Sequence, residues 1–142
     1  MAKTELTAAG EWTFGVLSAA NLGMEIWPEH VPEGEGFPAV VVGIVPGQDL
    51  SLPMSGGRRI WTRQIVTARV IDQTADYWSV EDTAAAIDAA LHHRVGESVA
   101  GFFVYACHRE GPFAVAEVDG GVEYRSLGGI YRLLVGPDDI GG

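Results

Sequence analysis

The stretch Ala39-Val-Val-Val42 constrains this chain most. It is β-branched, apolar without alternation, and preceded by Pro38, so Phe37 to Val45 reads as a strand buried on both faces. A strand of that kind needs cover above and below, and it lies centrally or near-centrally in a sheet. A second strand is expected from Ile60 to Ile71. There Val66, Ala68 and Val70 form a core face, and Thr67, Arg69 and Ile71 a mixed one. The two strands form a long hairpin.

Helical spacing appears twice. Leu6 to Leu22 sets Leu6, Ala9, Thr13, Val16, Leu17 and Ala20 on one side, with Thr4 or Thr7 as cap and Asn21 and Gly23 as the stop. Gly10 and Gly15 each cost about 1 kcal/mol relative to alanine inside a helix, so this helix depends on docking against a sheet. The clearer helix begins at Ser79, with Asp82 completing an approximate capping box, and runs to about His93. Its buried stripe is Ala84, Ile87, Ala90 and Leu91; Arg94 complements the helix dipole and Gly96 ends the helix. Beyond it, Gly101 to His108 is a strand, Glu110-Gly-Pro and Asp119-Gly-Gly are turns, and Val122 to Val135 is a final strand made irregular by Gly128 and Gly129. Met24 to Trp27 is a short apolar piece, and the proline- and glycine-punctuated segment 28–36 is a loop. The order is helix, two strands, helix, then two or three strands. It predicts a single α/β (α+β) domain, a mixed, mostly antiparallel sheet covered by two helices, with residues 1–135 as the domain and 136–142 as a flexible tail.

Composition narrows the function. At 142 residues and 47% hydrophobic content one core is expected. The longest nearly unbroken apolar stretch, Val99 to Cys107, is about half of a membrane span. The opening residues carry no recognisable secretory signal, so the protein is expected to stay where it is made. One cysteine, Cys107, excludes an intrachain disulfide and suits a reducing cytosol. A net charge of −10 disfavours tight nucleic-acid binding, although an acidic channel wall lets a duplex slide.

Catalytic and metal readings meet geometric objections. Cys107 and His108, adjacent in a strand, point to opposite faces. His92 and His93 lie about 100° apart on a helix, and Asp88 with His92 supplies two ligands where a metal needs more. The glycine runs match neither the dinucleotide fingerprint nor the phosphate loop. Glu81-Asp82 sits in a first helical turn and Asp138-Asp139 in a tail, where capping and solvation account for them. No catalytic, cofactor or metal residue is assigned.

The unexplained feature is the 14-residue connection Pro46 to Arg59, where a hairpin usually takes about two to five. Leu50, Leu52 and Met54 alternate with small or polar residues and are followed by Arg58, Arg59 and, in the next strand, Arg63. Such a row calls for a partner. Charge is also segregated along the chain: residues 1–57 hold seven acids and one base, whereas 58–69 hold four arginines and no acid.

The element order, the Phe37-Pro38-Ala-Val-Val-Val strand opening, the long loop into the second strand, the Val80 to His93 helix and the Tyr124 to Val135 strand resemble tail terminator (tail completion) proteins of long-tailed bacteriophages. The likeness runs over residues 5–135. It implies a non-enzymatic virion protein, assembled in the host cytoplasm into a six-fold ring. That ring caps the head-proximal end of the tail tube, stops its polymerisation and presents a docking face to the neck connector, while double-stranded DNA passes through its lumen. It also implies that the arm and the sheet edges touch neighbouring subunits or the tube, which in this chain points by position to Leu50, Leu52, Met54, Arg58, Arg59 and Arg63. A head completion protein or tube-to-sheath connector is the nearest alternative. A small α/β enzyme or ligand-binding dimer is a remote one, expected to carry a concave pocket with convergent polar groups and a perturbed titratable residue.

Overall fold

A computed structural model describes residues 5–51, 59–92, 97–99 and 101–137, with side chains over 7–45, 62–92, 98 and 101–136. The elements are α1 (Glu5–Ala19), β1 (Ile26–Pro28), β2 (Ala39–Ser51), β3 (Arg59–Asp72), α2 (Trp78–Leu91), β4 (Glu97–Val99), β5 (Phe102–Asp119) and β6 (Val122–Pro137). Six strands form one sheet in the order β1-β2-β3-β6-β5-β4. Only β1 and β2 pair in parallel among the described residues; the other pairs are antiparallel. The expected mixed, mostly antiparallel α+β domain with a long hairpin is therefore present. The final strand reaches Pro137, and residues 138–142 of the expected tail lie outside the described residues.

Both helices cover one face of the sheet. The even positions of β3, Val66, Ala68 and Val70, lie against them with Tyr131, Leu133 and Val135 of β6 and Val104 and Cys107 of β5, all buried. From α1 come Ala8, Ala9, Trp12, Val16 and Leu17, and from α2 come Val80, Ile87 and Leu91. Periodicity places most of this stripe. Ala20, however, is exposed because α1 ends at Ala19, and Leu6 carries no side-chain description. Thr13 stays in the stripe by donating its hydroxyl to the Ala9 carbonyl, 2.8 Å away. Asn21 and Gly23, both at positive φ (56° and 79°), end α1 as expected.

Ala39 to Val42 are at most 3% exposed, so the run is buried on both faces. Its second cover is the returning loop after β1. His30, Val31 and Phe37 lie with Val41, Ile71 and Tyr124 on the face away from the helices, and Phe37 meets Tyr124 edge to face at 5.4 Å. Burial of this kind gains about 25 cal/mol per Å2 of apolar surface, so a four-residue run without alternation is stable only under a double cover.

Several local readings are corrected by the structure. Ser79 does not cap α2, because the helix already begins at Trp78; instead the Asp76 carboxylate accepts the Ser79 N–H at 3.2 Å, and the Thr74 hydroxyl oxygen accepts the Asp76 N–H. Helix α2 stops at Leu91 rather than His93, and Arg94 and Gly96 lie outside the described residues. Glu110-Gly-Pro is no turn. Strand β5 continues through it, with a register shift between Arg109 and Gly111 that absorbs the extra residue. Pro112 is tolerated because β4 pairs only with residues 102–104 of β5, so its missing N–H leaves no ladder bond unmade. Conversely, Gly128 and Gly129 make no irregularity in β6. They are glycines for space: a Cβ at Gly128 would collide with the Ala68 carbonyl oxygen and sit 2.6 Å from the Arg69 Cα, and one at Gly129 would meet the Tyr131 ring at 2.9 Å. Asp119-Gly-Gly is a turn as expected, a two-residue hairpin loop with φ of 59° and 81° at Gly120 and Gly121.

Half of the connection from Pro46 to Arg59, residues 46–51 and 59, is strand, and 52–58 lie outside the described residues. After a register shift between Val45 and Gln48, the ladder resumes with Gln48 opposite Arg63, Asp49 opposite Thr62, Leu50 opposite Trp61 and Ser51 opposite Arg59. Leu52, Met54 and Arg58 lie outside the described residues. The sequence overstated the loop because glycines and prolines at a bulge resemble glycines and prolines at a turn.

Two outcomes are expected. Gly128→Ala should destabilise by several kcal/mol, since the clash is with backbone that cannot step aside, whereas Gly15→Ala, with open space around its Cβ, should stabilise by about 0.5–1 kcal/mol; urea unfolding of both variants checks this. Burial, reinforced by the Asp88 charge, raises the Cys107 thiol from 9.0 to about 12. A pKa raised on folding means the stabilisation is complete below pH 9 and declines as pH climbs toward about 12. Unfolding midpoints should fall across that window, and less steeply for Cys107→Ala.

Candidate assembly surfaces

The titratable residues that might have formed a site are occupied in holding elements together. Tyr131 donates its hydroxyl to Asp88 Oδ1 at 3.0 Å, tying β6 to α2, and Arg109 Nε stands 3.9 Å from the same oxygen. Burial and the adjacent Asp88 carboxylate push the Tyr131 phenol well above its ordinary value. His92 Nδ1 accepts the Arg109 N–H at 3.1 Å, satisfying a donor at the β5 bulge. The Asp88 and His92 pair is thus a tie between α2 and the sheet. Cys107 is 1% exposed and His108 is on the surface, pointing apart as the strand period requires. Among the described residues no group of three or more His, Cys, Asp or Glu gathers to hold a metal. No described helix is long and apolar enough to cross a membrane.

Cavities open on the surface among the described residues. One of about 640 Å3 lies at the C-terminal end of α1 beside Leu17, Asn21, Met24 and Ile26. A second, about 400 Å3 and apolar, lies where Gly10 and Gly15 of α1 leave room beside Phe14, Pro28, Val42 and Ile44. The third, about 340 Å3, is bounded by His30, Phe37, Arg69 and Tyr124 under the returning loop. Arg69 lies over the Phe113 ring at 4.9 Å. Neither group displaced furthest in pKa, Cys107 or Tyr131, lines any of these cavities. The lining of the third also includes Glu117 and Asp119, so that His30, Arg69, Tyr124 and two carboxylates border one cleft.

The ends of the sheet are more distinctive than its clefts. Strand β3 runs about 45 Å from Arg59 to Asp72 at roughly 3.3 Å per residue. At the Asp72 end, Arg125 of β6 is its last partner, so the β5–β6 hairpin overhangs β3 by three residues to Val122. On this overhang Glu123 pairs with Arg125 at 3.9 Å, Arg125 lies over the Tyr77 ring, and Glu117 and Asp119 border a cleft with Arg69 and His30. Trp78, first residue of α2, is 80% exposed there, and Val118 is 68% exposed. Nothing in the local sequence marks Trp78 as exposed, because an aromatic residue beside a helix start ordinarily belongs to the core.

The opposite end carries the β2–β3 arm. Of the residues singled out in the sequence, Leu50 and Arg59 are placed in its ladder, Arg63 is half-buried in β3 between Gln48 and Leu134, and Leu52, Met54 and Arg58 lie outside the described residues. The segregation of acids before position 57 from arginines after it does not divide two faces, since β2 and β3 pair with each other.

No family model matches the sequence, and no curated protein matches it. Among solved structures, the chain is similar in fold to a chain of the "Virion of native gene transfer agent (GTA) particle", with a TM-score of 0.59 and 17% identity, over 94% of this chain and 99% of that one. The likeness is one of fold, and it spans the two chains almost end to end.

Proposed function

We propose that this chain is a structural component of a phage-like virion, a tail terminator. In this reading, copies assemble into a six-fold ring on the head-proximal end of the tail tube. The ring occupies the surface on which the next tube layer would form, so growth stops, and its other face receives the neck connector. Double-stranded DNA passes through the lumen without specific binding, which a net charge of −10 favours by limiting adhesion. The observation that carries the reading is the near end-to-end fold similarity to a chain of a gene transfer agent virion, joined to the sequence resemblance described above. One further feature supports it: Asp88, His92, Arg109 and Tyr131 are engaged in ties between α2 and the sheet. The arm residues Leu50, Leu52, Met54, Arg58, Arg59 and Arg63 are the proposed contacts with a neighbour or the tube, and residues 1–135 the proposed assembly unit.

Mass measurement and negative-stain imaging of the purified chain, with and without tubes grown from the cognate tube protein, test the proposal. Rings and capped tubes of fixed length are expected. Rings that bind the head connector and leave tube growth unaltered would instead assign a head completion or connector role, and a strictly monomeric chain would refute both. Replacing Leu50, Leu52 and Met54 together by serine should weaken assembly far more than it lowers the melting temperature; a collapse of stability would place these residues in the domain core.

A further inference from the structure

We propose that the cleft beneath the returning loop is a docking site for a short extended segment of another polypeptide, one that sets an oxygen on Arg69 and a lysine or arginine against Glu117 and Asp119. The inference goes beyond the tail-terminator reading and does not depend on it.

The cleft, about 340 Å3, lies on the sheet face that carries no helix, and its two ends differ in chemistry. At one end Arg69 and Phe113 both stand opposite Gly128 in the ladder. With no side chain at Gly128 between them, the Arg69 guanidinium lies 4.9 Å from the Phe113 ring. The ring takes up the charge but supplies no oxygen. Arg69 Nε is buried and makes no hydrogen bond, and Arg69 forms no ion pair among the described residues. A buried donor without an acceptor is costly, so this atom calls for an oxygen from outside the domain.

At the other end stand Glu117 and Asp119, two residues apart in β5 and therefore on one face. Both are exposed, and neither forms an ion pair or a side-chain hydrogen bond among the described residues. From Phe113 to Glu117 is four residues, about 13 Å at roughly 3.3 Å per residue, which keeps these carboxylates apart from the guanidinium. Ile71 lies in the rows between, and with Val41 and Phe37 it makes the lining there apolar.

This pattern states what fits. Two carboxylates against one guanidinium favour a basic occupant over an acidic one. Polar ends about 13 Å apart, joined by an apolar stretch, match about four residues of extended chain. A metal ion does not fit, since no group of three or more His, Cys, Asp or Glu gathers among the described residues.

Selection of a display library of short random peptides on the full chain, and in parallel on Glu117→Gln with Asp119→Asn, tests the proposal. Peptides that carry lysine or arginine beside apolar residues should be enriched on the wild type alone. A synthetic copy of the leading peptide should shift the NMR amide resonances of Val31, Ile71 and Tyr124. Its affinity should fall about tenfold or more for the double variant and for Arg69→Met, while both variants keep the wild-type melting temperature. If Arg69→Met proves unstable, Arg69→Lys, which keeps the charge and lacks the Nε donor, takes its place. Enrichment of acidic peptides, no enrichment at all, or equal binding by the wild type and the double variant would overturn the docking site. Because the library holds no virion component, each of those results leaves the ring reading standing, and a chain that forms no rings leaves the docking site standing.

Discussion

The close approach of β3 and β6 is the contact on which everything else depends. Without it the sheet is two separate hairpins, β2–β3 and β5–β6, each too exposed to be stable alone. An uninterrupted ladder from Thr62 opposite Val135 to Asp72 opposite Arg125 joins them, and Gly128 permits it by presenting no side chain to the Ala68 carbonyl. Once joined, Val66, Ala68 and Val70 line up with Tyr131, Leu133 and Val135 into one apolar surface, and the two helices dock on that surface. Tyr131 shows the consequence. Its ring packs in the core while its hydroxyl reaches Asp88, so the helix layer is fixed in register by one polar tie inside an otherwise apolar contact.

This arrangement also decides where function can reside. The helix-bearing face of the sheet is filled by α1 and α2, and the other is partly closed by a returning loop that leaves a cleft of about 340 Å3 beneath it. Bulges, Pro112 and the Glu29 carboxylate interrupt the outer strands of the sheet, and Trp78 stands 80% exposed at the start of α2.

Gly128 and Pro112 mark how far sequence reasoning reaches. Both were read as backbone punctuation, because glycine and proline carry the same local signal whether they turn a chain, fill a bulge or permit a close approach. Only the neighbouring strand distinguishes these, and that strand is distant in sequence. The start of α2 is similar: the helix begins two residues before the expected Val80, so Tyr77 takes the N-cap position and the Ser79 N–H goes to the Asp76 carboxylate.

By itself the sequence determined the covered strand at Ala39 to Val42, the core face of β3, the stripe of α2 through Ile87 and Leu91, the Asn21 and Gly23 stop and the two-glycine hairpin turn. Each depends on periodicity or on a local φ that few residues accept, and such constraints are written in adjacent positions. It also placed weight on the Pro46 to Arg59 connection, part of which the ladder turned into strand. The tertiary structure alone decided that the loop after β1 supplies the second cover for Val41, that Asp88, His92, Arg109 and Tyr131 converge, and that Trp78 stands in solvent. Those facts rest on which distant segments come together, and one side chain's environment is set by neighbours that its own sequence context does not name.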